Sequence, residues 1–500
     1  MARMASSARK IPMLTFCLAA LCPATAFSQV TAAPVAYVYV GTTNGVYLYN
    51  AAPNGSLSAV PVAPRSVEGV AIGSNRGYFL SLDPDTLHAY TQTPDGEIRS
   101  QSWFLNTQTF SGGECGTAQG GVFDHTGQYI YVQLFPDQPV PNDQEACAAI
   151  QSFKIDGTGA LSFLGATQFA TEIQTGVNTA FSPLIKLSGN GSYGYSASFD
   201  HECDVRTWEF KRESTGTMLF NTYEILKVPS TPPDWRWEPF VMTADPTNHL
   251  AIAMTGQSGE FSPCGDTVHL TQLASFTVAS DGNLATTNTP ANMPTPKVNP
   301  EVLNMSPSGQ FLAVSGTTPF SAINGTQTAG LQVFHFNGAN PIKSYSAVLT
   351  TAPINEIHWD NSNHLYALSN ANKKLYAYTV TSSSITAVPG SPYTIASAPN
   401  ALVVVPSTAC SAPAAAGVHI CSPLMGPVVN SPVLVQAAAT VTGTIARMEL
   451  WVDGVKKYTA TSSKQLNIAI SLAAGNHRFG VFAVNTAGQK WQSVVNTTVM

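Results

Sequence analysis

Alternating apolar and polar residues recur along the chain in pairs of short runs, and a tight polar turn separates the two runs of each pair. In residues 120–134, Val122 and Phe123 are apolar, Asp124 to Gly127 form the turn, and Tyr129 to Val132 are strand formers. Aspartate and glycine are typical of tight turns, and Gly127 can adopt a positive φ. The pattern predicts two antiparallel β-strands joined by a turn.

The same unit is repeated along the chain. The other copies are 69–80, 184–193, 240–252, 302–314 and 357–366. A spacing of roughly 45–65 residues lies in the range typical of propellers and repeat arrays. A third run, a hairpin turn such as Asp281-Gly282 and a fourth run follow each unit. Each repeat therefore predicts one four-stranded blade.

The two ends of this repeat region complement each other. Val35–Val40 and Gly45–Tyr49 begin a blade that lacks its innermost strand, whereas Ala401–Val405 is a lone apolar run. If the two ends pair, the ring closes and its exposed sheet edges disappear. The chain is therefore predicted to be all-β, with a seven-bladed propeller over residues 29–407.

Two motifs connect this region to a known family. Blade ends of the form Phe-x-apolar-Asp-Gly-x-Leu occur beside turn–strand units such as Ser306-Pro-Ser-Gly-Gln-Phe-Leu-Ala-Val314. Through them, residues from about Val35 to Pro406 resemble the lactonase-like seven-bladed propellers, which include 6-phosphogluconolactonases and Tyr-Val-Thr-Asn repeat surface proteins. Lactonase-type enzymes usually carry Gly-Pro-Arg-His before an inner strand. No Arg-His pair occurs at the equivalent places, which are 66–68, 118–120, 182–183, 237–239, 299–301 and 354–356.

A second domain follows a linker of small residues, Thr408–Gly417. Alternating runs over the last ninety or so residues, with a hairpin at Asp453-Gly454, predict a β-sandwich over residues 408–500. Met448–Gly454 and His477–Asn485 resemble bacterial Ig-like domains, which are mostly spacers or adhesive modules.

The N-terminus and the cysteines indicate export. Residues 1–28 have a basic start and the apolar run Ile11–Leu21, a pattern typical of a cleaved signal peptide. Six cysteines follow, an even number that predicts disulfides in an exported chain. The economical pairs are Cys115–Cys147, Cys203–Cys264 and Cys410–Cys421. The expected location is periplasmic or extracellular, with cell-surface attachment left open.

Charge narrows the range of partners. Charged residues make up 10% of the chain, and losing the three basic residues Arg3, Arg9 and Lys10 changes the formal net charge from −6 to −9. Such a surface argues against nucleic acid and anionic membranes. After the N-terminal run, no stretch is apolar enough to cross a bilayer. We expect a monomer without membrane insertion.

Four acidic residues lie near the starts of predicted inner strands: Glu68, Glu238, Glu301 and Glu356. If all four face the channel mouth, they form a partial ring that binds Ca²⁺ or hydrogen-bonds to sugar hydroxyls. The alternative is that they are ordinary solvated acids. No other cofactor is expected.

The Trp235-Arg236-Trp237 segment is the second candidate for ligand binding, because it lies in a predicted proline-rich loop. Aromatic faces stack on sugars, and arginine binds carboxylates or phosphates. The alternative is that the tryptophans anchor the loop. His125, His249, His358 and His364 fall in or beside the short turns that join the first two strands of a blade, where surface or structural roles are expected.

Long predicted loops, among them 101–118, 135–148 and 256–270, fall on one face of the propeller, which we call the loop-rich face. These observations favour an extracellular recognition protein that binds carbohydrate or another polymer on this face. One alternative is a lactonase-like hydrolase or isomerase that uses carboxylates at the channel mouth, with Arg65 or Arg236 stabilising an oxyanion. Another is a structural protein of the cell envelope.

Overall fold

The computed structural model describes residues 34–499, apart from 76–77, 94–95, 107–116, 125, 136–147, 157, 170–184, 200–204, 259–266, 408–409, 411, 414, 424–427, 430 and 432. Within these ranges every regular element is a strand, which confirms the all-β class. No helix long and apolar enough to cross a bilayer occurs in them. The predicted signal peptide and Cys115, Cys147, Cys203 and Cys264 lie outside the described residues.

The first three sheets follow one another along the chain. Sheet 1 starts with β1 (Ala36–Thr42), β2 (Gly45–Ala51) and β3 (Leu57–Ala59). Sheet 2 comprises β4 (Val70–Asn75), β5 (Tyr78–Leu82), β6 (Thr86–Gln92) and β7 (Ile98–Asn106). Sheet 3 comprises β8 (Thr117–Phe123), β9 (Tyr129–Phe135), β10 (Ala148–Ile155) and β11 (Leu161–Phe169).

The fourth and fifth sheets repeat the pattern. Sheet 4 comprises β12 (Lys186–Leu187), β13 (Tyr193–Phe199), β14 (Val205–Arg212) and β15 (Met218–Glu224). Sheet 5 comprises β16 (Trp235–Ala244), β17 (His249–Ser258), β18 (Thr267–Val268), β19 (Gln272–Val278) and β20 (Leu284–Ala285). The extra strand β18 pairs with β17.

The last two sheets contain small insertions. Sheet 6 comprises β21 (Val302–Met305), β22 (Phe311–Gly316), an inserted hairpin of β23 (Phe320–Ala322) and β24 (Gly325–Gln327), then β25 (Gly330–His335) and β26 (Lys343–Ser344). Sheet 7 comprises β27 (Glu356–Trp359), β28 (His364–Ser369), β29 (Lys374–Val380), β30 (Ile385–Ala387) and β31 (Tyr393–Thr394).

A late strand completes sheet 1. β32 (Pro399–Pro406) pairs antiparallel with β1, so that the sheet order is β3-β2-β1-β32. All seven residues of β1 are buried, because β1 lies between β2 and β32 and other sheets pack on its two faces. This pairing confirms the predicted closure.

The seven sheets are joined into a ring. Inner strands contact their neighbours in the order β32, β4 and β8, and again in the order β12, β16, β21, β27 and back to β32. Between sheets 3 and 4, Gln133 Oε1 accepts the backbone N–H of Ile185 at 2.7 Å. Among the described residues the architecture is therefore a β-propeller with seven blades.

The repeated turn has one internal organiser in each of sheets 3 to 7. Asp124 is 2% exposed, and its Oδ1 accepts the backbone N–H groups of Gln128 and Tyr129, both at 3.0 Å. Ser188, Asp245, Ser306 and Asp360 accept backbone N–H groups in the same way in sheets 4 to 7. Gly127 adopts a φ of 65°, as predicted. The turn is therefore a structural element of the blade.

Replacing Asp124 with alanine should lower the free energy of unfolding by about 3 kcal/mol, because the buried backbone donors and Arg212 lose their acceptor. Arg212 Nη1 donates to Asp124 Oδ2 at 3.1 Å. Urea unfolding measures the loss. Asp281→Ala is the control, since Asp281 occupies an exposed hairpin turn. Equal losses in both variants would contradict the assigned role of Asp124.

Neighbouring blades are linked by tyrosine hydroxyls. Tyr39, Tyr131 and Tyr195 donate to the hairpin carbonyls of Gly96, Gly216 and Gly282 in the following blade, at 2.6, 2.9 and 2.6 Å. At Gly216 the φ is 93°, and a Cβ would clash with the ring of Tyr129. Glycine is required there both by the conformation and by the close approach.

The C-terminal domain is a two-sheet sandwich. Its strands are β33 (Gly417–Ser422), β34 (Val428–Val429), β35 (Val433–Thr440), β36 (Ile445–Val452), β37 (Val455–Thr461), β38 (Gln465–Ile470), β39 (Gly475–Asn485) and β40 (Lys490–Val499). One sheet has the order β33-β35-β38, and the other has the order β34-β40-β39-β36-β37. Alternate side chains of both sheets form one apolar core, which is the packing expected of an Ig-like sandwich.

The predicted disulfide Cys410–Cys421 is present, with 5.6 Å between its Cα atoms. It ties the linker to β33. Two hydrogen bonds support this attachment, from Thr440 Oγ1 to the carbonyl of Pro413 and from Gln465 Nε2 to that of Cys410. The other two predicted pairs stay predictions.

Candidate functional site

The charge of one inner-strand side chain acts on another whose strand lies on the opposite side of the ring. Lys186 lies on β12 of sheet 4 and His358 on β27 of sheet 7. Each stands two residues before the organiser of its turn, Ser188 or Asp360, so the two occupy equivalent positions. The charge of Lys186 lowers the pKa of His358, in addition to the effect of burial. Because β12 and β27 are not neighbouring strands in the ring, this electrostatic effect acts across the central channel.

The inner-strand positions equivalent to Lys186 and His358 are polar on one side of the channel. The two blades between sheets 4 and 7 carry Thr243 and Asn304 at the equivalent position of the inner strand, whereas sheet 3 carries Val122. Four consecutive blades therefore place polar residues at this height.

Glu356 completes the group, which we call the lumen site: Lys186, Glu356 and His358. Glu356 lies two residues before His358 on β27, so the two side chains lie on the same side of that strand. Glu356 Oε2 is 4.0 Å from His358 Nε2 and accepts the backbone N–H of Leu402 at 2.6 Å. The Glu356 and His358 side chains are 31% and 39% exposed, so water reaches them from the channel although protein surrounds them.

The lumen site favours uncharged side chains. Burial raises the pKa of Glu356 to about 7, and the hydrogen bond from Leu402 opposes this rise only in part. Burial lowers the pKa of His358 to about 4, and Lys186 adds to the decrease. Burial also lowers the pKa of Lys186. Near pH 7 the site therefore places a half-protonated carboxyl beside a neutral imidazole, a combination suited to hydrogen bonding and to proton transfer.

Glu301 lies directly before β21 in a separate hydrogen-bond network. Its carboxylate accepts the backbone N–H groups of Thr317 and Thr318 at 2.8 and 3.0 Å, together with both hydroxyls. Burial alone would raise the pKa of Glu301, but these hydrogen bonds lower it. The loop after β22 therefore holds Glu301 as a carboxylate.

The Trp235-Arg236-Trp237 segment is not a loop; it begins strand β16. Trp237 is 3% exposed, packs in the core and donates from Nε1 to Thr231 Oγ1 at 2.9 Å. The indole thus anchors the proline-rich segment. No face of this ring is free for a sugar to stack on.

Arg236 and Glu238 lie on the other side of β16. Arg236 Nη2 donates to Gln257 Oε1 at 2.9 Å, Gln257 Nε2 donates to Glu238, and Arg236 Nε is 3.6 Å from Glu238 Oε1. Glu238 stands within the strand and not at its start, and it is 6% exposed. Arg65, the other arginine considered for an oxyanion, is exposed.

Glu68 lies beside a buried histidine. His88 Nε2 is 2.9 Å from Asp83 Oδ2, and His88 Nδ1 is 3.4 Å from Glu68 Oε2 and 2.9 Å from Gln101 Nε2. Glu68, Asp83 and His88 are the one set of three potential metal ligands that lie close together among the described residues. Since Asp83 and Gln101 already engage both ring nitrogens, hydrogen bonding accounts for the cluster without a metal.

The four predicted glutamates therefore belong to four separate contact networks, and a joint Ca²⁺ site is not assembled by the described residues. Only Glu356 reaches the lumen site. Lys186 and His358 were not among the predicted ligand residues. The sequence signal for them is a basic residue at an inner-strand position between apolar neighbours, as in Ile185-Lys186-Leu187.

Comparisons with known proteins agree with this architecture. Residues 417–481 match the family model described as bacterial Ig domain. The chain is thus a β-propeller protein with a C-terminal Ig-like domain. A search of curated protein sequences gives no match.

Several solved structures are similar in chain path. A proposed 6-phosphogluconolactonase from Bacteroides uniformis is 14% identical, with a TM-score of 0.48, over 74% of this chain and 99% of the other. One from Bacteroides fragilis is 11% identical, with a TM-score of 0.48, over 74% and 98%. The Pseudomonas aeruginosa periplasmic gluconolactonase is 12% identical, with a TM-score of 0.40, over 93% and 96%. Likenesses of this size establish no activity for this chain.

Proposed function

We propose that this protein is an extracytoplasmic propeller that binds a small hydroxylated ligand, of the class of sugars and sugar lactones, in its central channel. The observation that carries the proposal is the lumen site, where Glu356 lies 4.0 Å from His358 and the charge of Lys186 acts on His358 from the opposite side of the channel. A neutral imidazole and a protonated carboxyl each donate and accept hydrogen bonds, as sugar hydroxyls do. A channel enclosed by inner strands favours a small ligand over a polymer.

The disulfide supports a location outside the cytoplasm, because such bonds persist mainly in oxidising compartments. The basic start and apolar run of residues 1–28, typical of a signal peptide, also support export.

Lactone hydrolysis is a second candidate, favoured by the opposite pKa shifts of Glu356 and His358. Pairs of titratable groups with divergent pKa values are typical of acid–base sites. In this scheme neutral His358 takes a proton from water as its oxygen attacks the lactone carbonyl. Protonated Glu356 then gives a proton to the ring oxygen that leaves.

Calorimetry with D-glucose, D-gluconate and glucono-1,5-lactone tests binding. We expect Lys186→Met to weaken binding of the preferred ligand by about tenfold or more, since an amine hydrogen-bond donor is lost. Lys211→Met is the matched control, because Lys211 is exposed on β14. Equal affinities for the wild type and Lys186→Met would contradict the lumen as the binding site.

Glu356→Gln separates binding from hydrolysis. The amide keeps the donor and acceptor ability of a protonated carboxyl but cannot transfer a proton. If the protein only binds its ligand, Glu356→Gln keeps the affinity of the wild type, and neither protein releases acid from the lactone. If the protein is a hydrolase, the wild type releases acid from the lactone and Glu356→Gln does not.

A further inference from the structure

The Ig-like domain carries a polar groove that is separate from the lumen site. Its volume is about 460 Å³, within the usual range of small-ligand sites of about 300–1,000 Å³. It is lined by Asp453, Asn476, His477, Arg478, Asn496, Thr497 and Thr498. We call it the sandwich groove.

Two paired strands present the main contacts of this groove. In the register of β39 and β40, Asn476 pairs with Thr498 and Arg478 with Asn496. Residues two apart on a strand, and residues directly opposite each other, share one face of the sheet. The four side chains therefore form a rigid 2 × 2 array on one face.

The charge state of the groove follows from His477. Its Nδ1 is 2.6 Å from Asp453 Oδ2, and its Nε2 is 2.9 Å from the carbonyl oxygen of Ala473. Two acceptors at the two ring nitrogens favour the doubly protonated imidazolium, and these hydrogen bonds raise the pKa of His477. Asp453 also accepts the backbone N–H of Arg478 at 2.8 Å. Each carboxylate oxygen of Asp453 therefore has one donor, and protonated His477 balances its charge.

The other side chains of the sandwich groove offer hydrogen-bond donors and positive charge. Within the described part of the chain, the exposed guanidinium of Arg478 and the exposed amide of Asn496 make no hydrogen bond. Asn476 Oδ1 accepts the hydroxyl hydrogen of Thr498 at 2.6 Å, and its amide N–H groups remain available as donors. The charge of Lys457 also acts on Asp453. The groove is thus cationic on a chain whose net charge is −6.

We propose that the sandwich groove binds an acidic sugar, namely a uronic-acid unit of an oligosaccharide. Arg478 pairs with the carboxylate, because a guanidinium matches its two oxygens in a forked geometry. The amides of Asn476 and Asn496 hydrogen-bond to ring hydroxyls. A neutral sugar would leave the charge of Arg478 unused, and this difference sets the specificity. The proposal is independent of the ligand of the lumen site.

Calorimetry on the full chain at pH 6 and low salt tests the proposal, with trigalacturonate, maltotriose and acetate as probes. We expect trigalacturonate to bind at least tenfold more tightly than maltotriose and acetate, and its affinity to fall with added salt. The affinity should also fall as the pH rises through the raised pKa of His477, because the groove then loses one positive charge. The groups that face this ring are Asp453 and the carbonyl of Ala473, with Lys457 nearby.

Variants locate the binding. Arg478→Gln should weaken trigalacturonate binding at least tenfold, whereas Lys464→Gln, the same charge change at an exposed position outside the groove, should not. Lys186→Met should leave this binding intact, which separates the groove from the lumen site. Equal affinities for trigalacturonate and maltotriose, or no effect of Arg478→Gln, would overturn the proposal. Acetate binding as tight as trigalacturonate would reduce the site to a carboxylate contact and overturn the sugar assignment.

Discussion

A chain that ends at Ala398 should not form a stable propeller, whereas a chain that ends at Ser407 should. The first lacks β32, which pairs with β1 over seven residue pairs and closes the ring. Leu402 and Val403 are 1% and 6% exposed, and their burial stabilises the fold by about 3–6 kcal/mol. That amount is comparable to the whole stability of a domain, about 5–15 kcal/mol. The edges of β1 and of the neighbouring blades would also be open to aggregation.

The two truncations form a matched pair, because both lack the Ig-like domain and differ by nine residues. Circular dichroism with thermal unfolding, together with size-exclusion chromatography, distinguishes the outcomes. We expect a cooperative transition and a monomer for the longer chain, and aggregation or a broad transition for the shorter one. A shorter chain that unfolds as cooperatively as the longer one would show that ring closure is not required.

The closure could be predicted from the sequence because it depends on backbone pairing, which apolar alternation reports directly. The turn organised by Asp124 was predictable for the same reason, since its hydrogen bonds are local in sequence. The Cys410–Cys421 disulfide spans 11 residues, so proximity along the chain was enough to pair its cysteines. Each of these features is encoded within a short stretch or by one clear pattern.

Strand β16 was misjudged for a specific physical reason. Proline is rare in the interior of sheets, so Pro239 and the preceding prolines made residues 235–239 look like a loop. In the structure the register of β16 shifts at Pro239, and a β-bulge is a place where a missing N–H is tolerated. Trp237 consequently points into the core, although its neighbours suggested an exposed binding loop.

The lumen site could not be predicted because it depends on the ring. Lys186 and His358 are 172 positions apart in the numbering, and the charge of one affects the other only because sheets 4 and 7 both line the central channel. The sequence places each of them correctly on an inner strand. It gives neither the radius of the ring nor the height at which equivalent positions meet.

Folding should move one proton from His358 to Glu356. In the unfolded chain the carboxyl has its ordinary pKa of about 4.5 and the imidazole its ordinary pKa of about 6.5, so between these values the histidine holds the proton. In the folded protein the pKa of Glu356 is about 7 and that of His358 about 4, so the glutamate holds it. The pair binds one proton in both states, and its contribution to stability is therefore flat between about pH 4.5 and 6.5.

Single substitutions should reveal the opposite effects of the two groups on how stability changes with pH. In Glu356→Gln only His358 titrates, and its folded pKa is lowered. The unfolded state then binds more protons between about pH 4 and 6.5, so the variant gains stability relative to wild type as the pH rises. In His358→Asn only Glu356 titrates, and its folded pKa is raised. That variant should lose stability relative to wild type between about pH 4.5 and 7.

Urea unfolding at half-unit pH steps from 4 to 8 measures both curves. Each change relative to wild type should total about 1–2 kcal/mol, after allowing for screening by water in the channel. Glu213→Gln, at an exposed hairpin position, is the control and should follow the wild type at every pH. If the stability of Glu356→Gln changes with pH in the same way as that of the wild type, Glu356 does not hold the proton in the folded protein. Opposite slopes in the two lumen variants would place a neutral acid–base pair inside the propeller, whether or not its ligand is known.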